Sequence, residues 1–207
     1  MKDLTILANL IEDWAARKPD LDVLTFVSIN KSGDISDEVR SYQQLWENGQ
    51  RLAAWLEQKG MRKGDSFALV MANHPEFVEL MIASSIMGTI FVPIDPRTRG
   101  DKLRFMLDFA ECKGAVAANS ALAGVAEVLS DSGGWVTPLR ADTGYQDSIA
   151  GVLEAPLPDP LLPVLSDDPD APMQMIYTSG TTGDPKAILS PHTRFAVGKA
   201  AADMIGI

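Results

Sequence analysis

The sequence predicts an α/β fold, a mostly parallel sheet with flanking helices. Short continuous apolar runs, SFALVMA at 66–72, TIFVP at 89–93 and GAVAA at 114–118, have the character of strands covered on both faces. Between them lie stretches whose apolar residues recur every three or four positions, as in helices that bury one stripe. Strands and helices in alternation imply crossover connections, hence parallel neighbours with helices on both faces of the sheet.

Taken in order, Leu7, Leu10, Ile11 and Trp14 put one apolar stripe on an opening helix that should stop before Pro19. Ser41 followed by Gln44 is a capping-box pattern, and Leu45, Leu52, Ala53 and Leu56 continue an apolar face toward Gly60, predicting a helix over about 42–59. Gly64 and Asp65 turn the chain into the strand 66–72. Pro75 and Glu76 suit the first turn of a helix that runs through Phe77, Leu80 and Met81 to Gly88, and TIFVP follows as a strand. Leu103, Met106, Leu107 and Ala110 predict a further helix, GAVAA a further strand. A weaker helix near 120–130 and a strand at 135–139 complete the series.

Six of the 13 prolines, interleaved with aspartates, fall within 154–172, which reads as a linker or an extended surface segment. The expected organisation is therefore an α/β subdomain over 1–153, the Pro/Asp-rich linker over 154–172, and a loop-bearing hairpin with the start of a second, truncated subdomain over 173–207.

Composition narrows the function. Hydrophobic residues make up 46% of the 207 and charged ones 22%, ordinary for a globular protein. The net charge of −10 and the absence of a basic cluster argue against a nucleic-acid partner. Cys112 is the single cysteine, so no intrachain disulfide can form and a thiolate-rich metal site is excluded; we read it as a small buried apolar residue on a helix. The apolar run 80–92 is too short, and too interrupted by polar residues, to span a membrane, and the N-terminus lacks secretory features, so a cytoplasmic location is expected.

An acidic protein that binds a polyphosphate needs a local set of donors, and such a set follows the proline-rich segment. A strand beginning at Met173 leads into Thr178-Ser-Gly-Thr-Thr-Gly-Asp-Pro-Lys186, and a second apolar strand follows. Gly180 and Gly183 can take positive φ and let backbone N–H groups converge on an anion. Ser179, Thr181 and Thr182 add hydroxyls, and Lys186 adds a cation. Pro185 limits the conformations the loop loses on ordering. The spacing is not that of a Walker A loop, in which the lysine opens a helix.

This run resembles the phosphate-loop signature of the adenylate-forming superfamily, which includes acyl-CoA synthetases, luciferases and nonribosomal adenylation domains. Ala187 departs from it, standing where the family usually has glycine. Ser41-Tyr42, the stretch Gly60 to Asp65, Asn73-His-Pro-Glu76, Gly88, Pro93 and Pro96 are similar in order and spacing to the N-terminal region of acyl-CoA synthetases, although caps, turns and helix stops also explain each of them. The resemblance implies the N-terminal part of the large domain of an acyl-CoA synthetase-like fold. It also implies ATP-dependent activation of a carboxylic acid as acyl-AMP, transfer to coenzyme A as co-substrate, and Mg²⁺ as cofactor. Thr178, Ser179, Gly180, Thr181, Thr182 and Gly183 would hold phosphates, and Lys186 would act both in binding and in catalysis. An amino-acid or aryl-acid adenylation domain, and a non-catalytic scaffold of the same fold, are the alternatives.

Nothing in the chain matches the family's later motifs. The expectation is an incomplete enzyme, inactive alone, partnered by the remainder of a ligase or by a second copy of itself. His74 reads as a cap or surface residue, His192 as a support for the loop, and Arg97 and Arg99 as solvated turn residues.

Overall fold

β3 (Ser66–Val70) has every residue buried, and its pleat sends Phe67 and Leu69 into one core and Ala68 and Val70 into another. This alternation organises the molecule, because a strand apolar at every position can be satisfied only between two covered faces. The structure, a computed structural model, describes residues 2–29, 32–141, 147–178 and 185–196.

Chain order is α1 (Leu7–Arg17), β1 (Asp22–Ile29), β2 (Ile35–Ser41), α2 (Tyr42–Gln58), β3, α3 (Pro75–Met87), β4 (Ile90–Ile94), α4 (Gly100–Phe109), β5 (Cys112–Ala117), α5 (Leu122–Ser130), β6 (Trp135–Pro138), α6 (Ile149–Leu153), β7 (Pro172–Thr178) and β8 (Lys186–Pro191). The main sheet runs β6-β5-β3-β4-β7-β8, parallel except for the antiparallel β7–β8 pair. α1, α2, α3 and α6 cover one face; α4 and α5 cover the other.

The predicted helix signals act where expected. Ser41 Oγ accepts from the Gln44 N–H at 3.3 Å while the Gln44 side chain accepts from the Ser41 N–H at 2.9 Å, a complete capping box. α3 starts on Pro75 and ends at Gly88, whose φ of 66° is the left-handed conformation glycine adopts without strain. α2 and α3 approach closely at Gly49, where an added Cβ would lie 2.6 Å from Ile82 Cγ2.

Besides the short helix α6, which has no counterpart among the predicted elements, three features depart from expectation. The hairpin β1–β2, which pairs Asp22 with Ser41 and Ile29 with Ile35, has no counterpart in the predicted elements. Its outer residues Val27, Ile29 and Ile35 are exposed, so it lacks the continuous apolar run that marks the buried strands. Cys112 is buried, but it opens β5 and lies on no helix; the helix before it ends at Phe109, and the chain turns at Glu111 with a φ of 50°. β3 stops at Val70, two residues short of the predicted strand end.

The proline-rich segment is extended and fastened along the helical face. Gln50, fully buried, donates to the Leu162 carbonyl at 3.1 Å and accepts the Leu162 N–H at 2.8 Å, replacing a backbone partner on both sides. Leu165 N donates to Ile86 O at 2.7 Å, and Ser166 Oγ to Ser85 O at 2.7 Å. Proline removes donors from such a strand, so side chains and exposed carbonyls do the fastening.

Two acids lie buried on α3. Glu79 Oε1 accepts from Arg40 Nε at 2.7 Å and from Asn48 Nδ2 at 2.8 Å, and Glu76 pairs with Arg140. Arg40 belongs to β2, so this contact ties the outer hairpin to the body of the domain.

Candidate functional site

The hairpin β7–β8 carries the residues that the sequence singled out. Its register pairs Gln174 with Ser190, Met175 with Leu189, Ile176 with Ile188, Tyr177 with Ala187, and Thr178 with Lys186. Thr178 and Lys186 therefore form the last described rung before the loop, and directly opposed residues put their side chains on one face of the ladder. Thr178 Oγ1 donates to the Lys186 carbonyl at 3.3 Å, closing the neck. Both residues are exposed. Ser179, Gly180, Thr181, Thr182 and Gly183 lie outside the described residues.

The arrangement gives an anion a cation and a hydroxyl at one end of a hairpin. Among the described residues, no carboxylate lies within ion-pair distance of Lys186. An exposed ammonium can meet a phosphate, and a hydrogen bond to a charged group contributes about 1.5–3 kcal/mol. No group of three or more His, Cys, Asp and Glu side chains among the described residues could hold a metal. A cation and a hydroxyl placed together are donors of the kind a polyphosphate takes.

The neck is joined to the rest of the sheet through β7. β7 pairs with β4 at Phe91–Gln174, and beyond that point its side chains make the attachment. Tyr177 Oη donates to the Met106 carbonyl of α4 at 2.6 Å, and its ring meets Phe109 edge-on with centroids 6.4 Å apart. Burial, with a smaller push from Cys112, raises the phenol to about 12, so the hydroxyl stays protonated and donating at neutral pH.

The other end of the hairpin is clamped to the proline-rich segment. Thr193 N donates to Pro169 O at 3.0 Å, and Thr193 Oγ1 bonds Asp170 at 3.3 Å. His192 is buried, and its Nδ1 finds no partner among the described residues; burial lowers its pKa against an opposing pull from Asp168, favouring the neutral ring. His192 and Lys186 stand at opposite ends of β8, so a direct role for this histidine at the phosphates does not follow from the geometry.

His74 occupies the N-cap position of α3 but makes no capping hydrogen bond through its side chain; it stacks on Phe26 with centroids 5.9 Å apart. Arg97 is exposed and pairs with Asp95, as its reading as a turn residue anticipated, and Arg99 donates to the carbonyls of Pro96, Thr98 and Ser120. Sequence reasoning missed the Tyr177–Met106 bond. The aromatic residue next to the motif was the available signal, but its partner lies 71 positions away in the chain.

No described helix is long and apolar enough to cross a membrane. The chain matches the family described as "AMP-binding enzyme" over residues 11–205. It is 32% identical over 170 residues to the long-chain-fatty-acid–CoA ligase FadD13 of Mycobacterium tuberculosis, covering 81% of this chain and 32% of that protein. It is also 32% identical over 155 residues to surfactin synthase subunit 2 of Bacillus subtilis, covering 73% of this chain and 4% of that protein. The fold is shared with the luciferase-like enzyme of the mealworm Zophobas morio, at a TM-score of 0.76 and 19% identity, over 94% of this chain and 44% of that one. The chain thus spans about a third or less of the length of these curated relatives. Its sequence and its sheet agree on one assignment: the chain belongs to the AMP-binding family of adenylate-forming enzymes.

Proposed function

We propose that this chain carries the triphosphate-gripping loop of an enzyme that activates a carboxylic acid and passes the acyl group to coenzyme A. The observation that carries the reading is the closing rung of the hairpin, where Thr178 and Lys186 face each other across the neck of the glycine- and hydroxyl-rich loop.

In this reading Thr178, Ser179, Gly180, Thr181, Thr182 and Gly183 hold the β and γ phosphates of ATP, and Lys186 offsets the charge that builds on the leaving pyrophosphate. The carboxylate oxygen attacks the α-phosphorus, the bond to pyrophosphate breaks, and acyl-AMP forms. A thiolate then attacks the acyl carbon and AMP departs. Reactions of this kind depend on positioning and on fixed charge more than on covalent chemistry by the protein. Mg²⁺ arriving on the triphosphate would supply further charge neutralisation. The described residues add no acidic cluster for it.

The likeness to the mycobacterial ligase supports coenzyme A as acceptor and a fatty acid as substrate. The equal identity to surfactin synthase subunit 2 favours a second reading, an amino-acid adenylation domain. Acid-dependent exchange of labelled pyrophosphate into ATP, run with fatty acids and with amino acids on the longest natural form of the protein, separates the two.

The loop itself is tested by titrating Mg·ATP into the wild type and into Lys186→Ala. Loss of a charged hydrogen bond predicts affinity about 10- to 100-fold weaker in the variant. Equal affinity would sink the assignment of Lys186.

A further inference from the structure

The phosphate-loop hairpin sits at the edge of the sheet and joins it through β7, which runs beside β4 with Gln174 opposite Phe91. Met175 and Tyr177 pack against the core on the α4 and α5 side, whereas β8 pairs only with β7 among the described residues. A hairpin at a sheet edge must still hold its loop to the tolerance that charge stabilisation demands, because a site loose by about 1 Å forfeits much of its effect.

What fastens the neck is the side chain next to the loop. Tyr177 Oη reaches α4 and donates to the Met106 carbonyl at 2.6 Å. That carbonyl sits in the last turn of α4, where backbone acceptors begin to lack intrahelical donors and the helix dipole makes them more negative. The Ala110 N–H also donates to it, at 3.2 Å, so Met106 O uses both lone pairs. Just beyond, the chain leaves the helix through Glu111 with a φ of 50°, a conformation that a well-terminated last turn helps to hold. Tyr177 therefore adds a second donor to the last turn of α4 and ties the neck to it in a single bond. The Phe109 ring packed against it restricts the phenol further, and its high pKa keeps the donor present throughout the usable pH range.

We propose that Tyr177 is a positioning residue that fixes the entry strand of the phosphate loop against the C-terminal turn of α4, and so sets the affinity of the loop for the triphosphate of its nucleotide. This rests on the reading of the loop as a triphosphate site. Tyr177 touches no reacting atom; it acts through Thr178, its neighbour, and through the Thr178–Lys186 rung.

The consequence is a link between two elements far apart in sequence. Whatever moves the last turn of α4 moves the loop, and a nucleotide that tightens the loop should also quiet the α4 terminus. Binding and protection are two views of one linkage.

The test combines Tyr177→Phe with hydrogen exchange and Mg·ATP titration, at a temperature where wild type and variant are both fully folded. The substitution keeps the ring and its contact with Phe109 and removes only the donor. In the absence of nucleotide, the amides of 175–178, 186–189 and 108–111 should exchange faster in the variant, while those of β3 and α3 remain as in the wild type. The Kd for Mg·ATP should rise about 3- to 10-fold, the effect of one neutral hydrogen bond.

Unchanged exchange at the neck and at the α4 terminus would overturn the proposal whatever the nucleotide does. Faster exchange with unchanged Kd would also overturn it, since the bond would then be structural only. Lys186→Ala separates this idea from the reading on which it rests: that variant should lose nucleotide without any change in exchange at 108–111. A wild type that fails to bind Mg·ATP would end the triphosphate reading, and this inference with it. A wild type that binds, beside a Tyr177→Phe variant that binds equally well, would end this inference alone.

Discussion

β3 and β8 are both apolar strands of one sheet, yet they live under opposite conditions. β3 is buried at every position and paired on both sides. β8 lies at the sheet edge, pairs only with β7 among the described residues, and leaves Ile188 and Leu189 half exposed. The first region is over-determined, since each side chain there is fixed by two faces and two neighbours. The second reaches the body only through β7, which lies along β4, with the phenol on α4 and the clamp at Thr193 as further ties among the described residues. This division agrees with the proposed function, because binding elements are drawn from the less stable parts of a fold. Changes in the body should therefore alter stability and spare nucleotide affinity, while changes in the hairpin should do the reverse.

The strongest challenge to that division is Arg40→Met. Glu79 is fully buried, and burial holds its carboxyl above the usual range, with Glu76 adding to the rise and Arg40 and Asn48 opposing it. Removing Arg40 leaves a buried carboxylate whose remaining described partner is Asn48, and loss of one member of a buried pair costs about 3–5 kcal/mol. In a chain of this size that lowers Tm by about 6–20 °C. The dependence on pH has a definite sign. A carboxyl raised in the folded state binds its proton more tightly there, so its stabilising contribution is complete below the unfolded-state pKa and is lost as pH rises through the folded value. The variant raises that value further, so its deficit should be smallest near pH 5 and grow toward pH 8. A deficit constant across that range, measured by thermal unfolding, would show that losing Arg40 does not change the protonation of Glu79 there.

The body was legible and the hairpin's attachments were not, for a physical reason. The capping box at Ser41 and Gln44, the proline at the start of α3 and the glycine at its end are local devices, written within four residues of where they act. The runs at 66–70 and 114–117 are apolar because two faces cover them, and that too is visible in one stretch of chain. β1–β2 escaped because it is mostly exposed and alternates weakly, and Cys112 was placed on a helix because its neighbours extend an apolar pattern past the true stop at Phe109. The phosphate-loop motif was legible as chemistry, through Thr178 and Lys186. Its mounting, Tyr177 on Met106 and Thr193 on Pro169, depends on contacts between distant segments, which no local pattern encodes.

A smaller effect, still in the body, follows from Leu69→Ala. Leu69 is fully buried on the helical face of β3, and deleting such a side chain costs about 2–5 kcal/mol, the upper end when the cavity cannot collapse. Its neighbours there include Phe67 and Phe91, whose rings are fixed by further packing, so little collapse is available. Chemical denaturation should show the midpoint falling with an unchanged slope, and Mg·ATP affinity of the folded fraction should equal that of the wild type. Weaker nucleotide binding would mean that the two regions are coupled through the sheet as well as through α4.

The smallest effect should come from the same substitution on the other strand, Leu189→Ala. Leu189 faces Met175 across the hairpin and is 51% exposed, so truncating it removes little surface from contact and leaves no closed cavity. Substitutions at such positions usually change stability by less than about 0.5 kcal/mol. The comparison with Leu69 isolates burial, since residue, substitution and secondary structure are the same and only the surroundings differ. A loss of about 2 kcal/mol at Leu189 would break the contrast: the outer side of β8 would then be covered in solution, and the concentration dependence of Tm would show whether a second copy of the chain covers it, because stability that comes from association rises with protein concentration.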